Sequence, residues 1–515
     1  MFGLWLVATG LNLFKPFHID DTFHLEAAKW IERNPFRPMS GIITWNNDAE
    51  YIYQYNQPPL YFYLIATIGH FFGYGELQLH LFQSVFTGLA IFVFFKLANL
   101  IISPRKALLL TVLFAINPAF LINQNIMVDV PLLSLHLLFV YILLRSGISN
   151  EIVRYLLAAF ILSIALLIKY TSLPLLILLL LVPILKGQLK YAWFILLPVC
   201  ILAGWSLCNY MEYGGKHILN RKVHEHTFRD LIRQPLVFTL CLGSIATFVL
   251  ALVPGKKKTE IVSIAGSAAI LILVIVAAII TDKQNVVQWS LWLLFGLNGV
   301  MILVFTFRKL IWVSAQYYLK REGLNEFILV LWFLLLVGFI VFFSPFMATR
   351  HVLLCLPPLM LLCAENLKRI RLSAVSIAFF IGLGLAVSDV AYAKVYQTQA
   401  AVLRKQLPAK AKVWTAGNWG WQWYSKKAGM IQLDSLSQSE LKAGDYYVVP
   451  SNISRQQVAP KLKLIEVRQQ VVPGSMATYF YTANYASMYI SNFRKTPWTL
   501  SDAPIDTFTI YRVQP

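Results

Sequence analysis

Long apolar runs alternate with short basic loops along most of this chain. Between residues 103 and 371, each pair of consecutive basic loops is separated by two apolar runs. Loops rich in Lys and Arg are typical of the cytoplasmic side of a membrane. The pattern therefore predicts a polytopic α-helical membrane protein of about thirteen spans, with its N-terminus inside and its C-terminus outside. The predicted inner loops are 105–106, 145–154, 186–190, 256–258, 308–321 and 368–371. Short outer turns are predicted at Asp129, Lys169, Asp282 and Arg350, and a larger, basic outer loop with His217, His224 and His226 is predicted at 209–234.

The first outer loop, about residues 15–76, does not have the pattern of a simple linker. Two apolar runs follow, 60–73 and 77–100, but the alternation of loops allows only one of them to cross. We assign the membrane crossing to the second run. The first run, which follows two prolines, is expected to form a helix on the membrane surface. An earlier amphipathic pattern places Phe23 and Trp30 on one helical face. The loop is thus predicted to be an assembly of short interfacial helices.

The composition changes after the last predicted span, which ends near Tyr392. Short strands with helical patterns between some of them are predicted at 412–416, 446–449, 462–467 and 508–513. We therefore divide the chain into a membrane domain, residues 1–395, and a small α/β domain outside the membrane, residues 396–515. An aromatic cluster in this outer domain could stack on a sugar but is better explained as core: Trp414, Trp419, Trp421, Trp423 and Tyr424.

The overall composition agrees with a membrane protein. Of the 515 residues, 58% are hydrophobic and 13% are charged, whereas soluble domains carry about 25% charged residues. The net charge of +20 is explained largely by the inner loops, so it does not indicate a nucleic-acid partner. The run 1–14 has no basic start and no clear cleavage site, which predicts a retained first span. The five cysteines lie in or beside apolar runs and indicate neither disulfides nor a metal site.

The most unusual charges lie just after the first span, where Asp20 and Asp21 precede the amphipathic helix. Aspartate is a favoured helix cap, and the helix dipole stabilises an anion there. Alternatively, Asp20 is a general base at the water–lipid boundary that takes a proton from an acceptor hydroxyl. This stretch alone leaves both interpretations open.

Further ionisable residues are predicted at outer span ends, on the same side as Asp20: Asp129, Lys169 and the pair Arg350-His351. The cations could extend to the membrane surface without any further function, and the acid could cap a helix. However, an ionisable residue that faces lipid costs about 2 to 3 kcal/mol or more, so such residues usually face a cavity or a partner. Around one outer cavity, the cations could bind the phosphate of a lipid carrier while a carboxylate activates a hydroxyl. A soluble nucleotide donor is disfavoured because no GxxxxGK[ST], GxGxxG after a strand or DxD motif is present.

The order of these motifs resembles the protein O-mannosyltransferase and lipid A aminoarabinose transferase family. The resemblance covers about residues 1–390 and rests on Asp20-Asp21, Gln57-Pro58-Pro59-Leu60, Asp129, Lys169, Arg350-His351 and Leu356-Pro357-Pro358. Members of this family are glycosyltransferases of the GT-C fold that use polyprenyl-phosphate sugars. The resemblance therefore implies the same fold and donor class here.

The resemblance also implies roles for individual residues. Asp20 would be the base or the acceptor-binding carboxylate, with Asp21 beside it in the paired position, and Asp129 would be a second essential acid. The implied substrate-binding residues are Lys169, Arg350, His351, Gln57, Tyr61 and His24. Gln57 departs from the Lys or His that the family usually has there, which puts more of the phosphate binding on the two cations.

The expected function is inverting transfer of a sugar from a polyprenyl-phosphate carrier to a hydroxyl of a lipid, glycan or protein. The site would lie at the outer face of a bacterial plasma membrane. No resident cofactor is certain, and a divalent cation that bridges acid and phosphate stays an alternative. A transporter or flippase is the rival class; it predicts charged sites near the bilayer midplane and internal repeats, and the sequence has neither. A binding or sensory protein would leave the interfacial carboxylates unexplained.

Overall fold

The structure is a computed structural model that describes most of the chain. The residues not described are 46–47, 56, 146, 148–149, 216–227, 248–285, 345, 365–371, 435–436, 458–462, 491–494 and 515. In the described residues the α-helices are α1 (Phe2–Gly10), α2 (Asp21–Arg33), α3 (Leu60–Phe72), α4 (Glu76–Ala98), α5 (Pro104–Ala115), α6 (Pro118–Ile122), α7 (Asp129–Leu144), α8 (Glu151–Ile168), α9 (Pro174–Leu185), α10 (Leu196–Tyr213), α11 (Phe228–Ile245), α12 (Val286–Lys320), α13 (Leu324–Phe343), α14 (Thr349–Leu353), α15 (Leu356–Cys363), α16 (Leu372–Gln406) and α17 (Trp419–Lys427).

Six helical segments in the described ranges are long and apolar enough to cross a membrane. They are Glu76–Ala98, Glu151–Ile168, Leu189–Tyr213, Val287–Lys320, Leu324–Phe343 and Val375–Gln406. Other apolar helices are shorter, and several of them begin at a proline, which suits a helix start because its missing N–H has no partner there anyway. The polytopic helical architecture is confirmed, whereas the number of spans and their orientation stay predictions.

Two predicted loops are corrected by the helix bounds. The predicted inner loop 308–321 is almost entirely helical, because α12 continues to Lys320. Leu310, Val313 and Tyr317 are buried at helical spacing, which explains why the helix does not end at the first basic residues. The predicted outer loop 209–234 begins inside α10 and ends inside α11. Other predicted loop residues lie outside the described residues: His217, His224, His226, Lys256, Lys257, Lys258, Asp282 and 368–371.

The first outer loop contains the two expected helices and a hairpin that was not expected. α3 has 13 residues, so at about 1.5 Å per residue it is too short for a bilayer core of about 30 Å. α2 packs against α3, with the rings of Phe23 and Phe62 5.8 Å apart. Between these helices, β1 (Ile42–Thr44) and β2 (Ala49–Tyr51) pair antiparallel. The loop is therefore a compact layer rather than a linker.

The C-terminal region forms the predicted small α/β domain. Its five-stranded sheet has the order β4-β3-β5-β9-β6, with β3 parallel to β4 and β5, and β9 antiparallel to β5 and β6. A separate two-stranded sheet pairs β7 with β8. The strands are β3 (Val413–Thr415), β4 (Ile431–Gln432), β5 (Tyr446–Pro450), β6 (Leu464–Val472), β7 (Phe480–Tyr481), β8 (Thr499–Leu500) and β9 (Asp506–Val513).

The border between the two regions is continuous helix. α16 runs to Gln406, through the predicted end of the last span near Tyr392, and the hydroxyl of Tyr396 donates to Asp506 of β9 at 2.9 Å. The aromatic cluster is mainly core, as expected, because Trp414 and Trp421 are fully buried. The division at residue 395 stays a prediction.

A buried ion pair joins the first outer loop to the last long helix. The ammonium of Lys15, which follows α1, lies 2.5 Å from the carboxylate of Asp389 in α16. Both side chains are almost completely buried. The same ammonium donates to the carbonyl of Ile122 at 3.1 Å, at the end of α6. A buried charge needs such partners, so this pair fixes how three distant segments meet.

Removing one partner of this pair should destabilise the protein strongly. Lys15→Met leaves the carboxylate of Asp389 buried without its cation, and we expect a loss of about 3 to 5 kcal/mol in the free energy of unfolding. Denaturant unfolding in mild detergent measures this loss, and the double variant Lys15→Met/Asp389→Leu should recover part of it. Arg37→Met is the control, because its pair with Glu212 is exposed and 3.9 Å long and should contribute under about 1 kcal/mol. Equal effects of Lys15→Met and Arg37→Met would contradict the assignment.

Candidate active site

A cavity of about 780 Å³ lies where the first outer loop, several span ends and the C-terminal domain meet. The first loop contributes residues from Ile19 to Gln57, and the C-terminal domain contributes Asn418, Trp419, Ser454 and Tyr489. Ionisable side chains on the cavity wall are Asp20, His24, Glu50, Lys169, Arg350 and His351. Sites of this size and mixed lining are typical of small-molecule binding.

The backbone before α2 turns sharply to aim Asp20 into this cavity. Ile19 has a φ of 51°, a left-handed conformation that is unfavourable for a β-branched residue. Two hydrogen bonds hold the turn: His18 N donates to the carboxylate of Asp21 at 2.7 Å, and Asp21 N donates to the carbonyl of His18 at 3.1 Å. Strain held in this way is typical of functional sites.

The carboxylate of Asp20 does not cap α2, although Asp20 occupies the cap position. It makes no side-chain hydrogen bond to the helix start. Instead, it lies 2.8 Å from Nη1 of Arg350, and 27% of the Asp20 side chain is exposed. The capping interpretation is therefore wrong for Asp20, because the guanidinium is a stronger partner than a backbone amide.

Arg350 is held between two carboxylates. Its side chain is 6% exposed, and its Nε lies 3.9 Å from Asp129, which is 1% exposed. Asp129 begins α7 and also accepts a hydrogen bond from the ammonium of Lys169 at 3.1 Å. Lys169 follows α8 directly and is 18% exposed. The four residues form one network in which two cations and two acids alternate.

The predicted site residues divide into those on the cavity wall and those behind it. Asp20, His24, Gln57, Lys169, Arg350 and His351 line the cavity. Asp129 lies behind the cations, and Tyr61 is fully buried with its hydroxyl donating to Gln83 at 2.7 Å. The ring Nδ1 of His24 is 2.8 Å from the carbonyl of Asp20, and burial lowers the pKa of His24 to about 4. His24 is therefore neutral near pH 7 and can donate to that carbonyl from Nδ1.

Asp21 lies outside the cavity despite its place beside Asp20. Its side chain is fully buried and accepts the hydrogen bond from His18 N. Burial raises the pKa of Asp21 to about 8, although the hydrogen bond from His18 and the charge of Lys15 act in the other direction. The two neighbouring carboxyl groups thus have different environments, one at the cavity and one in the core.

Several residues of the cavity wall could not be recognised from the sequence. The hairpin contributes Trp45, Glu50 and Tyr53, and the C-terminal domain contributes Asn418 and Tyr489. They are far apart in the chain and share no motif. For the part of the chain that the structure describes, no group of three or more His, Cys, Asp or Glu side chains is arranged to hold a metal ion.

Fold and site together define a multi-pass membrane protein with a charged cavity beside its C-terminal domain. Residues 56–207 match the family of dolichyl-phosphate-mannose-protein mannosyltransferases. This match covers less than a third of the chain, and over that segment it agrees with the resemblance found in the sequence. The matched segment contains Asp129 and Lys169 but ends before Arg350 and begins after Asp20.

Among solved structures, the chain is similar to ArnT from Cupriavidus metallidurans bound to undecaprenyl phosphate. The identity is 12%, 87% of this chain and 91% of that chain are covered, and the TM-score is 0.44. It is also similar to the oligosaccharyltransferase AglB from Archaeoglobus fulgidus in complex with an inhibitory peptide and a dolichol-phosphate. There the identity is 11%, 87% of this chain and 69% of that chain are covered, and the TM-score is 0.47. For the mycobacterial arabinofuranosyltransferase AftD the identity is 13%, 100% of this chain and 40% of that chain are covered, and the TM-score is 0.42. A comparison with curated proteins found no match. Similarity at this level carries no information on the substrate.

The raised pKa of Asp21 predicts a stability that falls as the pH rises. The folded protein holds this proton up to about pH 8, whereas the ordinary value is 3.8. Between these values the folded state binds more protons than the unfolded state, so stability decreases with increasing pH. Asp21→Asn should remove this decrease, and unfolding temperatures of wild type and variant from about pH 5 to about pH 9 measure it. Parallel pH profiles of the two proteins would show that Asp21 is ionised in the folded state.

Proposed function

We propose that this protein transfers a sugar from a polyprenyl-phosphate carrier to an acceptor hydroxyl at the outer face of a bacterial plasma membrane. The observation that carries the proposal is the ion pair between Asp20 and Arg350 on the cavity wall. It puts a partly exposed carboxylate next to a guanidinium that can bind phosphate. The match of residues 56–207 to the dolichyl-phosphate-mannose-protein mannosyltransferases supports the donor class.

The lining of the cavity includes residues suited to each part of such a donor. Phe339 and Ile340 of α13 and Phe346 line its apolar side, where a prenyl chain can pack. The guanidinium of Arg350 lies over the ring of Phe346, 5.8 Å from its centre. A phosphate at the end of the chain would then meet Arg350 and Lys169, which can form charge-assisted hydrogen bonds to it. Trp45, Glu50, Asn418 and Ser454 also line the cavity, and we assign them to the sugar and the acceptor.

The proposed chemistry is a single displacement. The donor phosphate replaces Asp20 as the ion-pair partner of Arg350. The carboxylate of Asp20 loses its cation and therefore becomes a better base. The acceptor hydroxyl loses its proton to Asp20 as its oxygen forms a bond to the anomeric carbon. The bond between this carbon and the phosphate oxygen breaks, and polyprenyl phosphate leaves with the electron pair. A single displacement inverts the anomeric configuration.

We assign supporting roles to the other two acids. Asp129 does not line the cavity, so it acts by holding the cations in place rather than by touching the substrate. Asp21 supports the turn that aims Asp20. His24, His351 and Gln57 line the cavity and can contact the donor or the acceptor, whereas Tyr61 supports the wall from behind.

Loss of the base should abolish most of the transfer. With purified protein and a panel of polyprenyl-phosphate sugars, wild type should release polyprenyl phosphate from at least one donor when acceptor lipids, glycans and peptides are present. Asp20→Asn should reduce this release by about 10²- to 10⁴-fold, the usual contribution of a general base. Glu212→Gln is a matched control, because the Glu212 side chain is also 27% exposed and pairs with an arginine, but it does not line the cavity.

The same assay separates the proposal from its rival. Full activity of Asp20→Asn would contradict the role of Asp20. A folded wild type that releases nothing from any donor, yet moves lipid-linked sugars across vesicles, would identify a transporter or flippase and overturn the proposed function.

A further inference from the structure

Residues 482–489 form a loop of the C-terminal domain that reaches into the membrane domain. The loop begins after β7 and is closed by a hydrogen bond from Met488 N to the carbonyl of Thr482 at 3.2 Å. Its two ends bind one carboxylate, because the hydroxyls of Thr482 and Tyr489 donate to the two oxygens of Asp389 at 2.5 and 2.6 Å. Asp389 is the partner of Lys15. The position of the loop is thus fixed by the buried ion pair.

The same loop holds the residue next to Arg350. The carbonyl of Met488 accepts two hydrogen bonds from Thr349, one from the backbone N at 3.2 Å and one from Oγ1 at 2.8 Å. Thr349 is the first residue of α14, where backbone N–H groups lack partners within the helix. The loop therefore supplies a missing partner at the start of the short helix that carries Arg350. Thr349 and Met488 are fully buried, so water cannot replace either bond.

Tyr489 also forms part of the cavity wall. Its ring lines the cavity together with Arg350, and its hydroxyl accepts a long hydrogen bond from Asn125 at 3.4 Å while it donates to Asp389. The ring is 95% buried and meets His18 edge to face, with centres 5.5 Å apart. One side chain thus connects the buried ion pair with the wall next to the guanidinium.

We propose that residues 482–489 position Arg350 for the donor phosphate, with Tyr489 and Thr349 as the positioning residues. The C-terminal domain then contributes to the donor site, in addition to the residues that line the space for the sugar and the acceptor. The inference rests on the proposed function for its kinetic consequence, but the contacts that carry it are independent of the reaction. The matched family segment ends at residue 207, so it assigns no role to this loop.

The geometric part is tested by hydrogen exchange, which needs no activity. Tyr489→Phe removes one of the two hydroxyls that tie the loop to Asp389, the one next to Met488, so the Met488 carbonyl is held less firmly. Exchange of the Thr349 amide should become at least about tenfold faster, because the loop that carries its acceptor has lost a hydrogen bond to a charged group. Tyr479→Phe is the matched control, since Tyr479 lies in the same domain and is 37% exposed.

The kinetic part of the inference is tested with Tyr489→Phe and with two variants of Thr349. Tyr489→Phe should raise the KM for the polyprenyl-phosphate sugar about tenfold with a much smaller change in kcat, because Asp20 is untouched. Thr349→Val keeps the backbone bond but loses the side-chain bond and should act in the same direction, whereas Thr349→Ser keeps both bonds and should behave as wild type. If Tyr489→Phe does not fold, the Val and Ser pair decides the question.

The outcomes separate this inference from the proposed function. Unchanged exchange at Thr349, or an unchanged donor KM in an active enzyme, would overturn the positioning role. A wild type without transferase activity overturns the proposed function alone. Faster exchange of the Thr349 amide in Tyr489→Phe would still support the inference that the loop holds α14 in position.

Discussion

A buried guanidinium must have anionic partners, and this requirement organises the centre of the molecule. Arg350 is almost completely buried, and its carboxylates come from the turn before α2 and from the start of α7. Lys169, after α8, completes the network through Asp129. An arginine deprived of these partners would be an uncompensated buried charge, which costs several kcal/mol. The packing of four distant segments therefore depends on a network that also forms the charged wall of the cavity.

A second buried pair extends the same principle to the C-terminal domain. Asp389 binds Lys15 from the first loop and two hydroxyls from the loop 482–489, and this loop in turn supports the helix of Arg350. The two networks are thus linked through Met488 and Thr349. This link explains why the C-terminal region packs closely on the helices before it: its contacts satisfy charges and amides that would otherwise be buried without partners.

Much of the site could be predicted from the sequence, because charges at span ends are rare and need a reason. The positions of Asp20, Asp129, Lys169 and Arg350 were recognised in this way, and the structure brings the four together. The different environments of Asp20 and Asp21 could not be predicted, since adjacent side chains point in different directions and the turn at Ile19 decides between them. Periodicity also gives no information on contacts between distant residues, such as Thr349 with Met488. The helix bounds in 308–321 were missed because buried apolar residues outweigh the basic ones there.

The central claim is that Arg350 exchanges Asp20 for the phosphate of the donor. The most direct test is an experimental structure of the protein in lipid nanodiscs with a bound polyprenyl phosphate. We expect a phosphate within about 3 Å of the guanidinium of Arg350 and near the ammonium of Lys169. We also expect the carboxylate of Asp20 to have moved away from its distance of 2.8 Å to Arg350 and to face the space for the acceptor. A phosphate bound elsewhere, with the pair between Asp20 and Arg350 intact, would contradict this mechanism.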